Sequence, residues 1–363
     1  MIIDGKEVVG KEAQKVDLSK DTDLADKPDN DSFRELEDET IKKQIAYYGE
    51  QFTRVRKEMG KLVVGQADVV NSLIEALLAN GHVLVEGIPG VGKTLVIRAL
   101  AKITGCRFSR IQFTPDLLPT DIVGITTYEE GKGFFTIKGP VFSNFVLADE
   151  INRSPPKVQS ALLESMQEKQ ATIGKETFQL PNPFFVMATQ NPLEQLGTYK
   201  LPEAQVDRFL YKILVQYPSF EEELLILNNN MTTKDFNEYD VQPILSTIDI
   251  IEAQKFVKKI YLSPKIERYI VRIVESTRNP EKYGLNRGKY IGNGSSPRSS
   301  IALYIASKAH ALVQGRAFVI PDDVKAVAHN VLRHRIILNF EGEAEEISTE
   351  DVVTEILEKV PII

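Results

Sequence analysis

The chain has 363 residues, of which 42% are hydrophobic and 26% are charged, and it contains no tryptophan. This length and composition indicate a globular protein with a sizeable core that is long enough for two domains. The single cysteine, Cys106, excludes an internal disulfide and favours a reducing compartment. No apolar stretch reaches the length of a membrane span and no signal-peptide pattern is present, so we expect a cytoplasmic protein.

The net charge of −7 lies in the first part of the chain. Residues 1 to 40 contain 13 acidic and 6 basic residues, which leaves the remainder close to neutral. Residues 1–38 are rich in charge and show no hydrophobic periodicity, which predicts an acidic, disordered N-terminal extension. A folded remainder without net positive charge gives no support to a nucleic-acid-binding surface.

Hydrophobic periodicity predicts two helices and then alternating strands and helices. The pattern from about Glu39 to Met59 is helical, and a turn at Gly65 precedes a second helix. Alternation of short apolar strands with helices predicts an α/β domain whose parallel sheet is covered on both faces. The five predicted strands are HVLVEG (82–87), FSRIQF (108–113), FVLAD (145–149), PFFVMATQ (183–190) and LYKILVQYP (210–218).

After Pro218 the strand pattern stops and helical patterns with clear ends begin. Ser263 and Pro264 are typical of a helix start, and Gly315 is typical of a helix end. The sequence therefore predicts three parts, which are the extension at 1–38, an αβα core at 39–218 and a smaller all-helical domain at 219–363.

The stretch GIPGVGKT, residues 87–94, matches the phosphate-binding pattern G-x-x-x-x-G-K-[ST]. Its glycines let backbone N–H groups surround phosphate oxygens at a helix N-terminus, and it lies between a predicted strand and a predicted helix. In this pattern Lys93 reaches the β- and γ-phosphates and Thr94 ligates Mg²⁺. The predicted nucleotide-binding residues of this segment are Gly87, Ile88, Pro89, Gly90, Val91, Gly92, Lys93, Thr94 and Leu95.

Two adjacent carboxylates, Asp149 and Glu150, follow the third predicted strand. Successive side chains of a strand point in opposite directions, so the two acids are expected to have separate roles. Asp149 would hold Mg²⁺ through its water shell, and Glu150 would polarise a water for attack on the γ-phosphorus. A guanine-reading N-K-x-D pattern is absent, which favours ATP.

Four further residues are candidates. Asn191 or Thr189 could position the attacking water or contact the γ-phosphate, although polar residues also simply end strands. Arg208 stands beside Asp207, where an arginine usually forms a surface ion pair. Arg298 lies in the first turn of a predicted helix, where a cation is slightly disfavoured, so its presence suggests a ligand.

Taken together, these residues resemble a MoxR-type AAA+ ATPase over roughly residues 40–360. The resemblance implies an AAA+ P-loop αβα domain with a parallel sheet, followed by a smaller all-helical lid domain, and hydrolysis of ATP with Mg²⁺. It is carried by RIQFTPDLLPTDIVG (110–124), GPVFSNFVLADEINRSPPKVQSALLESMQE (139–168) and FFVMATQNPLEQLGTYKLPEAQVDRF (184–209).

The resemblance also implies roles for single positions. Gln112 ends the second strand, where related ATPases keep a polar residue that restrains the Walker B glutamate. Gly65 and Gln66, in VVGQ, match the segment near the adenine. The other implied positions are Walker A at 87–94, Walker B at Asp149 and Glu150, sensor 1 at Asn191, the arginine finger at Arg208 and sensor 2 at Arg298.

Two insertions, residues 115–142 and 169–183, also resemble elements of this family. The second predicts a β-hairpin with Gly174 and Lys175 at its tip. In related ATPases such elements face the pore or the top of a ring and couple hydrolysis to a substrate, whereas packing decoration is the alternative. An arginine finger at Arg208 would act on the nucleotide of a neighbouring copy, which implies a ring, expected to be a hexamer.

The leading interpretation is a chaperone-like remodelling ATPase, whose family commonly works with partners that carry a von Willebrand factor A domain. A nucleic-acid motor is an alternative because the same clade contains helicases, but the absence of a basic stripe argues against it. A chelatase-type motor subunit is a further alternative. A nucleotide-gated scaffold without turnover is disfavoured because Asp149 and Glu150 are both present.

Overall fold

The computed structural model describes residues 39–362 apart from 88–89, 91, 132, 192–196 and 229–235. The predicted extension at 1–38 therefore lies outside the described residues. Among the described residues, no helix combines the length and apolar character that a bilayer span requires.

A five-stranded parallel sheet lies at the centre of the first domain. Its strands are β1 (Val83–Gly87), β2 (Phe108–Gln112), β5 (Phe145–Asp149), β8 (Phe185–Gln190) and β9 (Tyr211–Val215). They run in the order β2-β5-β8-β1-β9, and every pairing is parallel. The apolar residues of β5 and β8 are buried on both faces of the sheet, as expected for a parallel sheet between helical layers. The sheet and its five predicted strands are confirmed.

Seven helices of the described residues lie between Glu39 and Asn228. The first two reproduce the predicted helical pair, with Gly65 between them. The helices are α1 (Glu39–Met59), α2 (Ala67–Leu78), α3 (Lys93–Ile103), α4 (Pro119–Val123), α5 (Pro156–Glu168), α6 (Glu203–Val206) and α7 (Phe220–Asn228).

The two insertions form antiparallel hairpins. The first pairs β3 (Gly124–Glu129) with β4 (Gly133–Lys138), and the second pairs β6 (Gln170–Ile173) with β7 (Glu176–Gln179). The second hairpin therefore turns where the sequence predicted. Its tip lies close to β3, because a Cβ atom at Gly174 would stand only 2.9 Å from Oγ1 of Thr126.

The second domain is helical, as predicted, with one addition. A short antiparallel pair joins β10 (Ile291–Asn293) to β11 (Ile337–Leu338), and strands of two or three residues are too short for periodicity to identify. The boundary at residue 218 stays a prediction. The helices are α8 (Thr247–Lys259), α9 (Pro264–Ser276), α10 (Pro297–Val313), α11 (Pro321–Leu332), α12 (Phe340–Ala344) and α13 (Thr349–Lys359). The single-turn 3₁₀ helices in the described part of the chain are Pro140–Phe142, Ile151–Arg153, Phe236–Glu238, Pro280–Tyr283 and Arg287–Tyr290.

The segment after α11 covers the exposed edge of β9. Arg333 Nη1 donates to the carbonyl oxygen of Lys212 at 3.0 Å. Arg335 donates from Nη1 to the carbonyl of Leu210 at 3.1 Å and from Nη2 to the carbonyl of Phe209 at 2.6 Å. These bonds satisfy carbonyl groups at the edge of the sheet and attach the helical domain to it.

Candidate active site

The glycine-rich loop connects β1 to α3 at the carboxyl edge of the sheet. Gly90 has a φ of +87° and Gly92 a φ of +77°, which is backbone that only glycine adopts without strain. A helix N-terminus preceded by such a loop presents backbone N–H groups to an anion. The predicted loop residues Ile88, Pro89 and Val91 lie outside the described residues.

The side chain of Lys93 points back across this loop. Its Nζ donates to the carbonyl oxygen of Gly87 at 2.6 Å. Partial burial lowers the pKa of Lys93, while the carboxylates of Asp149 and Glu150 act in the opposite direction. The ammonium group therefore lies in the field of both acids, so the fold brings the loop and the acid pair together. Thr94 is half-buried in the first turn of α3.

The two acids, Asp149 and Glu150, have different backbone conformations at the end of β5. Asp149 is the last residue of the strand, and Glu150 has a φ of +58° and a ψ of +48°, in the left-handed region. That conformation costs a residue with a side chain about 1–2 kcal/mol, so surrounding contacts must hold it. The reversal of the backbone at Glu150 sends the two carboxylates to different partners.

The hydroxyl of Thr189 on β8 connects these two acids. Thr189 Oγ1 donates to Asp149 Oδ1 at 2.6 Å and accepts from the backbone N–H of Glu150 at 2.9 Å. Thr189 is 1% exposed. Asn191 follows the same strand and is buried at the same edge of the sheet. Thr189 therefore lies between the two acids, and Asn191 follows two residues later along the chain.

The outer oxygens of the acids have partners that the sequence analysis named only in part. Gln112 Nε2 donates to Glu150 Oε2 at 2.8 Å, which is the contact that the resemblance implied. Arg110 donates to Asp149 Oδ2 from Nε at 3.1 Å and from Nη2 at 2.7 Å. Arg153 forms an ion pair with Glu150 at 3.2 Å. Arg110 was missed because only the pairing of β2 with β5 brings it to Asp149, and Arg153, three residues after Glu150, was not singled out by the sequence analysis.

A cavity of about 550 Å³ opens beside the glycine-rich loop. Its volume lies in the range of small-molecule sites, and its mainly apolar walls suit a purine base. Gln66 also lines an adjoining cavity of about 430 Å³ that includes Gly65. The lining residues of the first cavity are Leu62, Val63, Val64, Gln66, Gly90, Gly92, Leu95, Val96, Tyr217, Pro218, Glu223, Ile226 and Leu227.

Arg208 lies at the amino-terminal ends of the strands, which form the edge of the sheet opposite the glycine-rich loop. It precedes β9, and Leu210 N donates to the carbonyl of His82 just before β1, whereas the glycine-rich loop begins at Gly87, the last residue of β1. A strand rises about 3.3 Å per residue, so Arg208 and the loop are on the order of 20 Å apart. Arg208 is exposed, and its Nη1 donates to the carbonyl of Leu163 at 3.2 Å.

Arg298 lies beside Arg208 rather than beside the loop. Arg298 Nη1 is 3.4 Å from Asp207 Oδ2, and the same carboxylate accepts from Arg335 Nε through Oδ1 at 2.8 Å. Arg208 and Arg298 together line a cavity of about 300 Å³. Both guanidinium groups are exposed, and Asp207 is the carboxylate that lines this cavity with them. The pair therefore presents positive charge to solvent at this edge.

Known proteins resemble the chain over most of its length. A model of the ATPase family associated with various cellular activities (AAA) matches residues 82–211, and a model of the AAA lid domain matches residues 287–356. Chaperone MoxR1 of Mycobacterium tuberculosis is 48% identical over 307 residues, which cover 84% of this chain and 80% of that protein. The chain belongs to the MoxR family of AAA ATPases.

Two other known proteins resemble this MoxR-family ATPase over most of its length. The uncharacterized protein YeaC of Bacillus subtilis is 47% identical over 309 residues, covering 84% of this chain and 93% of YeaC. The crystal structure of a candidate ATPase from Cytophaga hutchinsonii is 49% identical with a TM-score of 0.84, covering 90% of this chain and 99% of that one. The chain is thus an ATP-hydrolysing enzyme with an AAA core and a helical lid.

The bridge through Thr189 gives a first prediction for this MoxR-family ATPase. Thr189→Val keeps the shape of the side chain but leaves the N–H of Glu150 and an oxygen of Asp149 without their buried partner. We expect the free energy of unfolding to fall by about 1–3 kcal/mol and ATP turnover to fall as well. Thr189→Ser keeps the hydroxyl and is the matched control. Denaturant unfolding and turnover should separate the two variants, and equal behaviour would contradict the bridge.

Proposed function

We propose that the protein is a Mg²⁺-dependent, chaperone-like remodelling ATPase that works as a closed ring of six copies in the cytoplasm. The observation that carries this proposal is the separation of two half-sites on one chain. The loop and the acid pair lie at one edge of the sheet, and Arg208 and Arg298 lie at the other. A ring of copies in head-to-tail contact would join the two edges.

The residues of the loop edge fit a magnesium nucleotide. Among the described residues, no group of three or more histidine, cysteine or carboxylate side chains is arranged to hold a metal by itself. Mg²⁺ is usually bound by one or two carboxylates together with substrate phosphates and waters. The carboxylate of Asp149 and the hydroxyl of Thr94 are a donor set of that kind. The ion would supply positive charge to the β- and γ-phosphates. Gly65 and Gln66 would border the base.

The remaining residues have separate tasks in this proposal. Lys93 would exchange the carbonyl of Gly87 for a phosphate oxygen. Glu150 would accept the proton of the attacking water, and Asn191 would orient that water. Arg208 and Arg298 of a neighbouring copy would stabilise the charge on the γ-phosphoryl group, as arginine fingers do in comparable reactions.

The relatives support the chaperone part of the proposal, since one of them carries the name Chaperone MoxR1. We propose a protein substrate and a partner with a von Willebrand factor A domain. The test uses Glu150→Gln, expected to hold Mg·ATP without turnover, as bait in native lysate with mass spectrometry of what it retains. Lys93→Ala, expected to bind nucleotide poorly, is the matched control.

Enrichment of such a partner by Glu150→Gln, and its loss in Lys93→Ala, would support the proposal. Recovery of DNA-processing proteins that nuclease treatment removes would favour a nucleic-acid motor instead. Recovery of a metal-inserting enzyme would favour a chelatase-type motor subunit. Equal retention by both variants would contradict a client engagement that depends on ATP.

A further inference from the structure

Arg110 occupies a position between the two acids of the site. Its Nη2 donates both to Asp149 Oδ2 at 2.7 Å and to Gln112 Oε1 at 2.7 Å, and its Nε donates to Asp149 Oδ2 at 3.1 Å. Gln112 in turn donates to Glu150. A continuous series of hydrogen bonds therefore runs from Asp149 through Arg110 and Gln112 to Glu150.

The guanidinium group of Arg110 determines which way the amide of Gln112 faces. An amide carries an acceptor oxygen and a donor NH₂ group, and the network decides their placement. With the oxygen turned to Arg110, the NH₂ group is left to donate to Glu150. The reverse orientation would set NH₂ against the guanidinium and the oxygen against the carboxylate, so both contacts would be lost.

We propose that Arg110 is a positioning residue that couples the metal-side acid, Asp149, to the base, Glu150. This inference rests on the proposed function. Arg110 holds Oδ2 of Asp149, the acid that would face a magnesium nucleotide. Once Asp149 turned to that nucleotide, Arg110 would lose its carboxylate partner, the amide of Gln112 would no longer be held in place, and Glu150 would be free to face the attacking water. Before loading, the same bonds hold Glu150 aside.

The expected effect is moderate. The side chain of Arg110 is 49% exposed, whereas that of Asp149 is 14% exposed. Water screens such a pair, so its loss should change an equilibrium by about two- to fivefold. Arg110→Met should therefore lower the Mg²⁺ concentration for half-maximal nucleotide binding, and it should raise kcat by a similar factor because Glu150 is restrained less.

The experiment measures binding of a fluorescent ATP analogue against Mg²⁺ concentration, together with kcat and KM, in four variants. They are Arg110→Met, Gln112→Leu, the double variant, and Arg107→Met as control. Arg107 is exposed and precedes the same strand at its amino end, so its replacement removes an equal charge away from the acids. Unfolding midpoints check that each variant folds.

In the double variant, loss of Arg110 should still lower the Mg²⁺ requirement but should no longer raise kcat beyond Gln112→Leu. Arg110→Met matching Arg107→Met would overturn the coupling, and so would a kcat rise that persists without Gln112. If nucleotide binding by the wild-type protein does not depend on Mg²⁺ concentration, the magnesium part of the proposed function is overturned, and the coupling with it. The wild-type titration therefore separates the two failures.

Discussion

Arg208→Ala is expected to abolish most ATP hydrolysis while leaving nucleotide binding close to wild type. Arginine fingers contribute about 10³–10⁵ in rate to comparable phosphoryl transfers. Arg208 lies at the edge of the sheet opposite the glycine-rich loop, so its own chain's nucleotide would not sense the change. Calorimetry should give an unchanged dissociation constant, and a steady-state assay at saturating ATP should show the loss.

The control for this prediction is Arg268→Ala, since Arg268 is an exposed arginine on α9 of the helical domain. A melting curve of Arg208→Ala is also needed, because the variant loses the hydrogen bond to the carbonyl of Leu163. That bond is a surface contact worth about 1 kcal/mol. If Arg208→Ala folds and hydrolyses ATP near the wild-type rate, Arg208 is not a finger.

Glu150→Gln is expected to reduce turnover by about 10²–10⁴, the usual contribution of a general base. The amide has the size of the carboxylate and can still accept from Gln112, so the left-handed turn at residue 150 should persist. Removing one negative charge beside Lys93 should not weaken binding of the anionic nucleotide. Mg·ATP affinity and single-turnover hydrolysis are the two measurements.

Glu267→Gln, at an exposed position on α9, is the matched control for a neutralised glutamate. Single-turnover hydrolysis by Glu150→Gln at the control's rate would show that Glu150 is not the base. A large loss of nucleotide affinity would show instead that Glu150 holds the substrate, and the division of labour between Asp149 and Glu150 would then be wrong.

The sequence predicts the scaffold of this site because the scaffold is encoded locally. Each buried strand is a contiguous apolar run, and the loop from Gly87 to Thr94 carries its glycines, lysine and threonine within eight residues. Caps such as Ser263 also reach only a few residues along the chain, since its hydroxyl accepts from the N–H of Ile266. Local pattern sufficed for these elements.

What the sequence did not show depends on contacts between distant segments. Thr189 meets Asp149 only because β8 pairs with β5, and Arg110 meets Asp149 only because β2 does so on the other side. The left-handed backbone at Glu150 is held by such contacts and has no glycine to mark it. Arg298 likewise lies near Arg208 because it contacts Asp207, the residue before Arg208. Hydrophobic periodicity cannot indicate such a contact.

An active site built from two copies of the chain is tested most directly by a mixing experiment. Arg208→Ala retains Glu150 beside its loop, and Glu150→Gln retains Arg208 at its opposite edge. Each variant alone is expected to be nearly inactive. When they are mixed under conditions where differently tagged copies co-purify, ATP hydrolysis should rise well above either variant, because some contacts pair an intact loop edge with an intact arginine. Co-purification without any gain in hydrolysis would contradict an active site shared between copies.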